Sequence, residues 1–184
     1  MQLRESPQYP RIPAEQRHAL VEAALDDGRA LADRTRARWG RDPTAIAMGC
    51  GVPVIESGDD AGFGSVTVYA GYTTQKPAIT LYLPAIARLD RLIATRGAHI
   101  DLGVAKTAPI FVAHELYHHF DCTRHGTPLS RRHQVRVFGI GPWTWTVGIA
   151  GLAEIAAGAY AQRLLGLCFH PKLLDILVTG DEAR

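Results

Sequence analysis

Apolar positions along this chain follow two periods. From Ala14 to Trp39 they fall near one face of a long helix, at Leu20, Ala24, Leu31 and Trp39, with charges elsewhere and Gly40 as the stop. Asp42 and Pro43 open a short helix through Met48, ended by Gly49. The period then changes to two. Val52–Glu56 reads as a short strand, Val66, Val68 and Ala70 alternate with Thr67 and Tyr69, and Ile79, Leu81 and Leu83 alternate with Thr80 and Tyr82. Turn residues from Ser57 to Gly64 and at Gly71 separate these strands. Helical spacing returns from Pro84 to Thr95 at Ile86, Leu89, Leu92 and Ile93, with Gly97 as the stop. After an unassigned connection, Ala98–Lys106, the residues Thr107 and Pro109 start a further helix. Cys122–Pro142 reads as a loop, Val147–Leu167 as an alanine-rich helix, and Pro171–Leu177 as a short terminal helix.

These elements predict an α+β domain: a small, twisted, three-stranded and mostly antiparallel sheet with one face on the helices. Residues 14–178 form the single domain, 1–13 a flexible N-terminal arm and 179–184 a frayed tail. At 184 residues and 47% hydrophobic, the chain is large enough for a core without staples. Cys50, Cys122 and Cys168 are odd in number and lack C-x-x-C spacing, which points to a reducing compartment. Met1–Pro13 is polar and proline-punctuated, unlike a leader, so the expected location is cytoplasmic. A net charge of +2 gives no reason to expect nucleic acid as a partner. Val137–Ala153 carries no charge and includes Trp143 and Trp145, but Pro142 and the frequent glycines break it. Extension to spanning length brings in Glu154 and Arg163, so the segment reads as buried and no membrane partner is expected.

The chemistry lies in Phe111–Asp121, FVAHELYHHFD. His114 and His118, four apart on a helix, stack on one face and can aim two imidazole nitrogens at one point. Glu115, about 100° round the helix, flanks that point, where a general base for a metal-activated water belongs. A surface helix with fortuitous histidines is the plainer alternative. The context opposes it: Ile110, Phe111, Ala113, Leu116, Tyr117 and Phe120 supply an apolar flank for burial.

A third ligand is needed. Glu154 is the one acid in the helix Val147–Leu167, set among Leu152, Ala153, Ile155, Ala156 and Ala157, where an ionised carboxylate is costly unless a cation compensates it. The competing reading of Glu154 is a carboxylate favoured by a helix N-terminus or paired with an arginine. The pattern H-E-x-x-H-x-x-G-x-x-H would need Gly at 121 and His at 124, where this chain has Asp121 and Arg124; His125 misses by one. His133 and His170 stay open as ligands. Asp121, one turn after His118, is a candidate to orient an imidazole or a solvated helix-end acid. His119, His125, His133 and Tyr160 are candidate donors to a developing oxyanion, Tyr160 being equally a core aromatic.

His114-Glu115-Leu116-Tyr117-His118, followed by Glu154-Ile155-Ala156-Ala157-Gly158-Ala159-Tyr160-Ala161-Gln162-Arg163-Leu164-Leu165, resembles the ImmA/IrrE metallopeptidase family, whose motifs are H-E-L-G-H and E-x-x-A-N-x-F-A-x-x-L-L. The upstream order of helices and strands is similar from Leu20 onward. The resemblance implies a zincin-like, minimal gluzincin domain with Zn2+ held by His114, His118 and Glu154 and with Glu115 as base. It also implies a protein substrate, typically a helix-turn-helix repressor. Tyr117 stands for the usual glycine, Gly158 for the usual asparagine, and an apolar, tryptophan-containing segment separates the motifs. The expected activity is zinc-dependent peptide hydrolysis. Two rivals are a non-catalytic regulatory module that acts by contact and a metal hydrolase of a non-peptide substrate.

Overall fold

The computed structural model describes residues 2–63, 66–95, 102–123, 127–140 and 143–182. Helix α1 (Gln2–Glu5) and a 3-10 turn (Tyr9–Arg11) precede the long helix α2 (Ala14–Trp39). The first thirteen residues, expected as a flexible arm, are packed: Leu3 and Ile12 are buried in the core. Arg17 fixes them further, donating to the Ile12 carbonyl at 3.0 Å and stacking on the Tyr9 ring at 4.1 Å. Short helix α3 (Pro43–Gly49) begins as its sequence dictates. Asp42 accepts the backbone N–H groups of Thr44 and Ala45, and Pro43 sits where no N–H is needed.

The strands are β1 (Val54–Ser57), β2 (Gly62–Phe63), β3 (Val66–Thr67), β4 (Ala70–Thr73) and β5 (Ala78–Tyr82). The main sheet has the order β1-β5-β4 and is mixed rather than mostly antiparallel: β4 and β5 are antiparallel, but β1 and β5 run parallel. The cause is the route between them. β4 lies at the far edge and is antiparallel to β5, and the tight turn from β4 returns the chain as β5 between β4 and β1, parallel to β1. The alternating run Val66–Ala70 is accordingly two elements, β3 pairing with β2 in a separate ribbon and β4 beginning at Ala70. Gly71, expected as a turn, lies inside β4.

Helix α4 (Leu83–Thr95) follows β5 and buries Ala85, Ile86, Leu89 and Ile93. Its Asp90 accepts both the backbone N–H and the hydroxyl of Thr107, at 2.9 and 2.8 Å, and so fixes the start of α5 (Ala108–Thr123). The expected loop Cys122–Pro142 contains structure instead: a helical turn α6 (Leu129–Arg132) and a hairpin of β6 (Gln134–Ile140) and β7 (Trp143–Gly148). The uncharged segment is thus largely an exposed hairpin, not a buried one; Trp143 is 81% and Trp145 74% exposed. β-Branched and aromatic residues recur along both strands and favour a ribbon. No helix among the described residues is long and apolar enough to cross a membrane.

Helix α7 (Gly151–Leu165) is the centre of the molecule, buried almost all round from Ile155 to Ala161. It begins after the hairpin rather than at Val147. Helix α2 faces it with Ala24, Gly28, Ala32 and Thr35, a stripe of small residues that brings the two backbones together. A β-carbon on Gly28 would lie 2.1 Å from the Ala156 carbonyl oxygen. Helix α8 (Lys172–Glu182) closes the chain and runs past the expected stop at Leu177.

Glycine-to-alanine substitution normally favours a helix by about 1 kcal/mol. At Gly28 the sign should reverse, with a loss of about 1–3 kcal/mol in denaturant unfolding, because the added methyl meets a backbone carbonyl. Gly58→Ala, where a β-carbon meets nothing within 4 Å, should stay within about 0.5 kcal/mol of the parent.

Candidate metal centre

Helix α5 presents His114 and His118 one turn apart, with their Nε2 atoms 3.3 Å from one another. Helix α7 crosses it and brings Glu154, from its first turn, to both: Oε2 lies 3.2 Å from His114 Nε2 and Oε1 3.4 Å from His118 Nε2. These edges are nearly equal. Ligands bound 2.0–2.1 Å from a tetrahedral zinc stand about 3.3 Å apart, and the two imidazole nitrogens already match that edge, with one Glu154 oxygen beside each. Among the described residues this is the group of side chains able to hold a metal ion, all three ligand atoms lying within 4.8 Å of one another. Nitrogen and carboxylate donors in such a set suit zinc and its first-row neighbours.

The electrostatics match a cation's place. Burial pushes the Glu154 carboxyl upward, but the hydrogen bond from His114 and the charges of His114, His118 and Lys172 outweigh it and hold the group down at about 2. Burial is also the largest influence on both imidazoles. At His118 it combines with the charge of His114, against the pull of Glu154, and lowers the ring to about 4, leaving a neutral nitrogen with its lone pair available. At His114 it is overcome by Glu154, Glu115 and Asp175, so the ring is raised and favours a proton. One proton between anionic Glu154 and neutral His118 supplies the positive charge that a metal ion would replace.

Glu115 flanks this group on α5. Burial raises its carboxyl, helped by the charge of Glu154 and opposed by His114 and by a hydrogen bond from the Tyr72 backbone. It faces an open cleft of ≈ 660 Å³ lined by Tyr69, Ala70, Phe111, Gly151, Glu154 and Lys172 among others. Tyr69 and Phe111 stack there, with centroids 4.7 Å apart. The β4 edge borders the same cleft. Tyr82 donates to the Tyr69 carbonyl, which sets the alternation of the antiparallel ladder and turns the peptide groups of Ala70 and Tyr72 outward from β5.

The remaining candidates take other positions. His119 is buried and its Nδ1 lies 3.0 Å from the Tyr72 hydroxyl, a contact that ties α5 to the sheet. Asp121 is buried, and both its oxygens receive the Leu129 backbone N–H, at 3.0 and 3.2 Å, at the start of α6. Tyr160 is fully buried between Tyr117 and Phe120, a core aromatic. His133 precedes β6 and accepts from Ile149 through its carbonyl. His125 lies outside the described residues. His170 stands beside the centre rather than in it: its Nδ1 accepts from the Lys172 backbone at 3.2 Å, and its ring covers Gly158, where a β-carbon would lie 2.5 Å from Cε1.

Two departures noted in the sequence thereby gain a structural cause. Gly158 leaves room for the His170 ring. Tyr117 fills a fully buried position and donates to Asp27 of α2 at 2.8 Å, while Arg132 donates to the other oxygen of Asp27 at 2.6 Å. Neither partnership is visible as a motif. A signal existed in α2, because Asp27 falls three residues after buried Ala24 and so borders the apolar stripe.

Because His114 is raised and His118 is lowered, protons compete with a metal ion mainly at His114. Zn2+ affinity, measured by chelator competition, should be full at alkaline pH, where His114 is neutral. It should fall about tenfold per pH unit once the pH is below the His114 pKa and above about 4. Affinity independent of pH over that window would show that His114 is not a ligand.

The chain matches no protein-family model, no curated protein and no solved structure with which it was compared.

Proposed function

We propose that the chain is a zinc-dependent peptidase. The observation that carries the reading is the pair of His114 and His118 Nε2 atoms, 3.3 Å apart with one Glu154 oxygen beside each, together with the half-buried Glu115 carboxyl next to them and an open cleft in front. His114, His118 and Glu154 would hold a zinc ion, which would supply Lewis acidity and a water made nucleophilic near neutral pH. Glu115 takes the proton of that water as it attacks the scissile carbonyl and hands the proton to the departing amine. Its raised carboxyl suits both halves of the task, since a base nearer neutrality returns its proton more readily. The outward peptide group of Ala70 and the outward carbonyl of Tyr72, whose N–H is engaged by Glu115, hold the substrate as an added strand across the cleft, which favours an extended peptide over a compact small molecule.

The similarity to ImmA/IrrE motifs extends the proposal to a regulatory, repressor-type protein as substrate. Tyr117 and Gly158 do not favour a merely regulatory module, because each is accommodated without disturbing the three ligands.

The test uses a pooled peptide library read by mass spectrometry. The parent protein should bind about one equivalent of zinc and cleave library members. Glu115→Gln should keep the zinc and lose roughly 10²–10⁴-fold in cleavage rate. Glu154→Ala and His118→Ala should lose the metal itself. Normal zinc content in Glu154→Ala would overturn the ligand assignment, and undiminished cleavage by Glu115→Gln would overturn the mechanism.

A further inference from the structure

The hairpin β6–β7 has no part in the metal centre, yet it carries a concentration of exposed apolar surface: Trp143 81%, Trp145 74%, Phe138 60% and Val137 40%. Its root is firmly seated. Val135, Ile149 and Leu129 are buried, the Ile149 N–H donates to the Ser130 and His133 carbonyls, and a β-carbon on Gly148 would lie 2.3 Å from the Ser130 oxygen. The hairpin therefore projects as a fixed finger rather than lying against the body.

The register sorts its side chains. Val135 pairs with Val147, Arg136 with Thr146 and Phe138 with Trp145, so one extra residue is inserted between Arg136 and Phe138. Without that bulge Phe138 would share the face of Arg136, because side chains alternate. With it, Val135, Phe138, Trp143, Trp145 and Val147 lie on a single face, and Arg136 projects from the other. The charges are equally one-sided. From Cys122 to Ala153 the chain has no aspartate or glutamate, but it has Arg124, Arg131, Arg132 and Arg136. Arg132 is engaged by Asp27, whereas Arg131 and Arg136 are exposed near the root, and the adjoining 3-10 turn adds exposed Arg11.

We propose that this finger docks on an anionic lipid surface, its tryptophans and Phe138 entering the interfacial layer and its root arginines meeting the headgroups. Tryptophan is favoured at the boundary between headgroups and acyl chains, and an uncharged apolar tip above a basic root is complementary to that boundary in both polarity and charge. A second copy of the chain fits less well. The three exposed aromatics offer on the order of 500 Å², below the roughly 800 Å² per partner of a stable protein interface. A nucleic-acid strand also fits less well, since stacking sites for bases are interleaved with basic groups, and here the bulge puts Arg136 on the opposite face.

Co-sedimentation of the full chain with vesicles tests the proposal, using phosphatidylcholine alone and phosphatidylcholine with roughly one-third phosphatidylglycerol. The parent should pellet with the anionic vesicles and be released by high salt. Trp143→Ser/Trp145→Ser should reduce binding at least about tenfold, and Arg131→Glu/Arg136→Glu should abolish the preference for anionic lipid. Tryptophan emission in a Trp39→Phe background should shift to the blue on vesicles. Unchanged circular dichroism and zinc content in both double variants would show that the fold and the metal centre are intact, which separates this test from that of the peptidase reading. A parent that stays in the supernatant with both vesicles, or a tryptophan double variant that pellets like the parent, overturns the proposal. So does binding to single-stranded RNA, or a concentration-dependent dimer lost in that variant, where vesicles are not bound.

Discussion

The backbone contact between α2 and α7 at Gly28 and Ala156 sets the position of the helix that carries Glu154. A glutamate side chain is short, and its carboxylate must reach two imidazoles that are themselves fixed by a single helix. Small residues on both sides of α7 let it lie close to α2 without standing away from α5, and Tyr117 and Asp27 tie α5 to α2 across the same junction. Three helices are thus held at mutual distances set by close backbone packing, by the Tyr117–Asp27 hydrogen bond and, at the surface, by the Arg163–Asp33 ion pair. Such packing transmits displacements readily, because a close-packed interior has little room to absorb them.

That rigidity has an electrostatic cost. Two largely buried imidazoles and a half-exposed carboxylate are brought together, and burial with the charge of His114 drives the ring of His118 down to about 4. Each Glu154 oxygen meets one imidazole nitrogen, at 3.2 and 3.4 Å, while the two nitrogens lie 3.3 Å apart. Hydrogen bonds hold this arrangement when one ring carries a proton, and a cation coordinated by the same groups would take that proton's place. The lowered carboxyl of Glu154 and the raised ring of His114 are then two views of one requirement for positive charge at the centre.

The sequence disclosed this centre because its constraints are local or compositional. His114 and His118 announce themselves by helical spacing, and Glu154 by being an acid among alanines. Asp42 before Pro43 likewise marks the start of α3 correctly. What depended on contacts between distant segments was hidden. The parallel pairing of β1 with β5 follows from the placement of β5 between β1 and β4, an order that no alternation records. The packing of Leu3 and Ile12 depends on surfaces supplied by the body of the domain. The role of Asp121 in receiving the Leu129 N–H at the start of α6 depends on a residue eight positions away and leaves no motif. The segment Val137–Ala153 misled most. Lack of charge was read as burial, although a projecting ribbon with one apolar face leaves the same trace in composition.

The hairpin and the metal centre are neighbours in the chain as well as in space. Gly148 is pinned against Ser130, Ile149 is buried, and Ala150 and Gly151 line the cleft immediately before the turn of α7 that carries Glu154. Between the ribbon and the ligand there is no flexible linker, and the root is held by backbone hydrogen bonds on one side and by core packing on the other. The orientation of the finger relative to the cleft is therefore fixed by the same contacts that fix Glu154. On the proposed reading, a surface that captures the finger also sets the direction from which a polypeptide approaches the cleft. The bulge at residue 137, which places Phe138 beside Trp145, is the local irregularity on which that shared orientation depends.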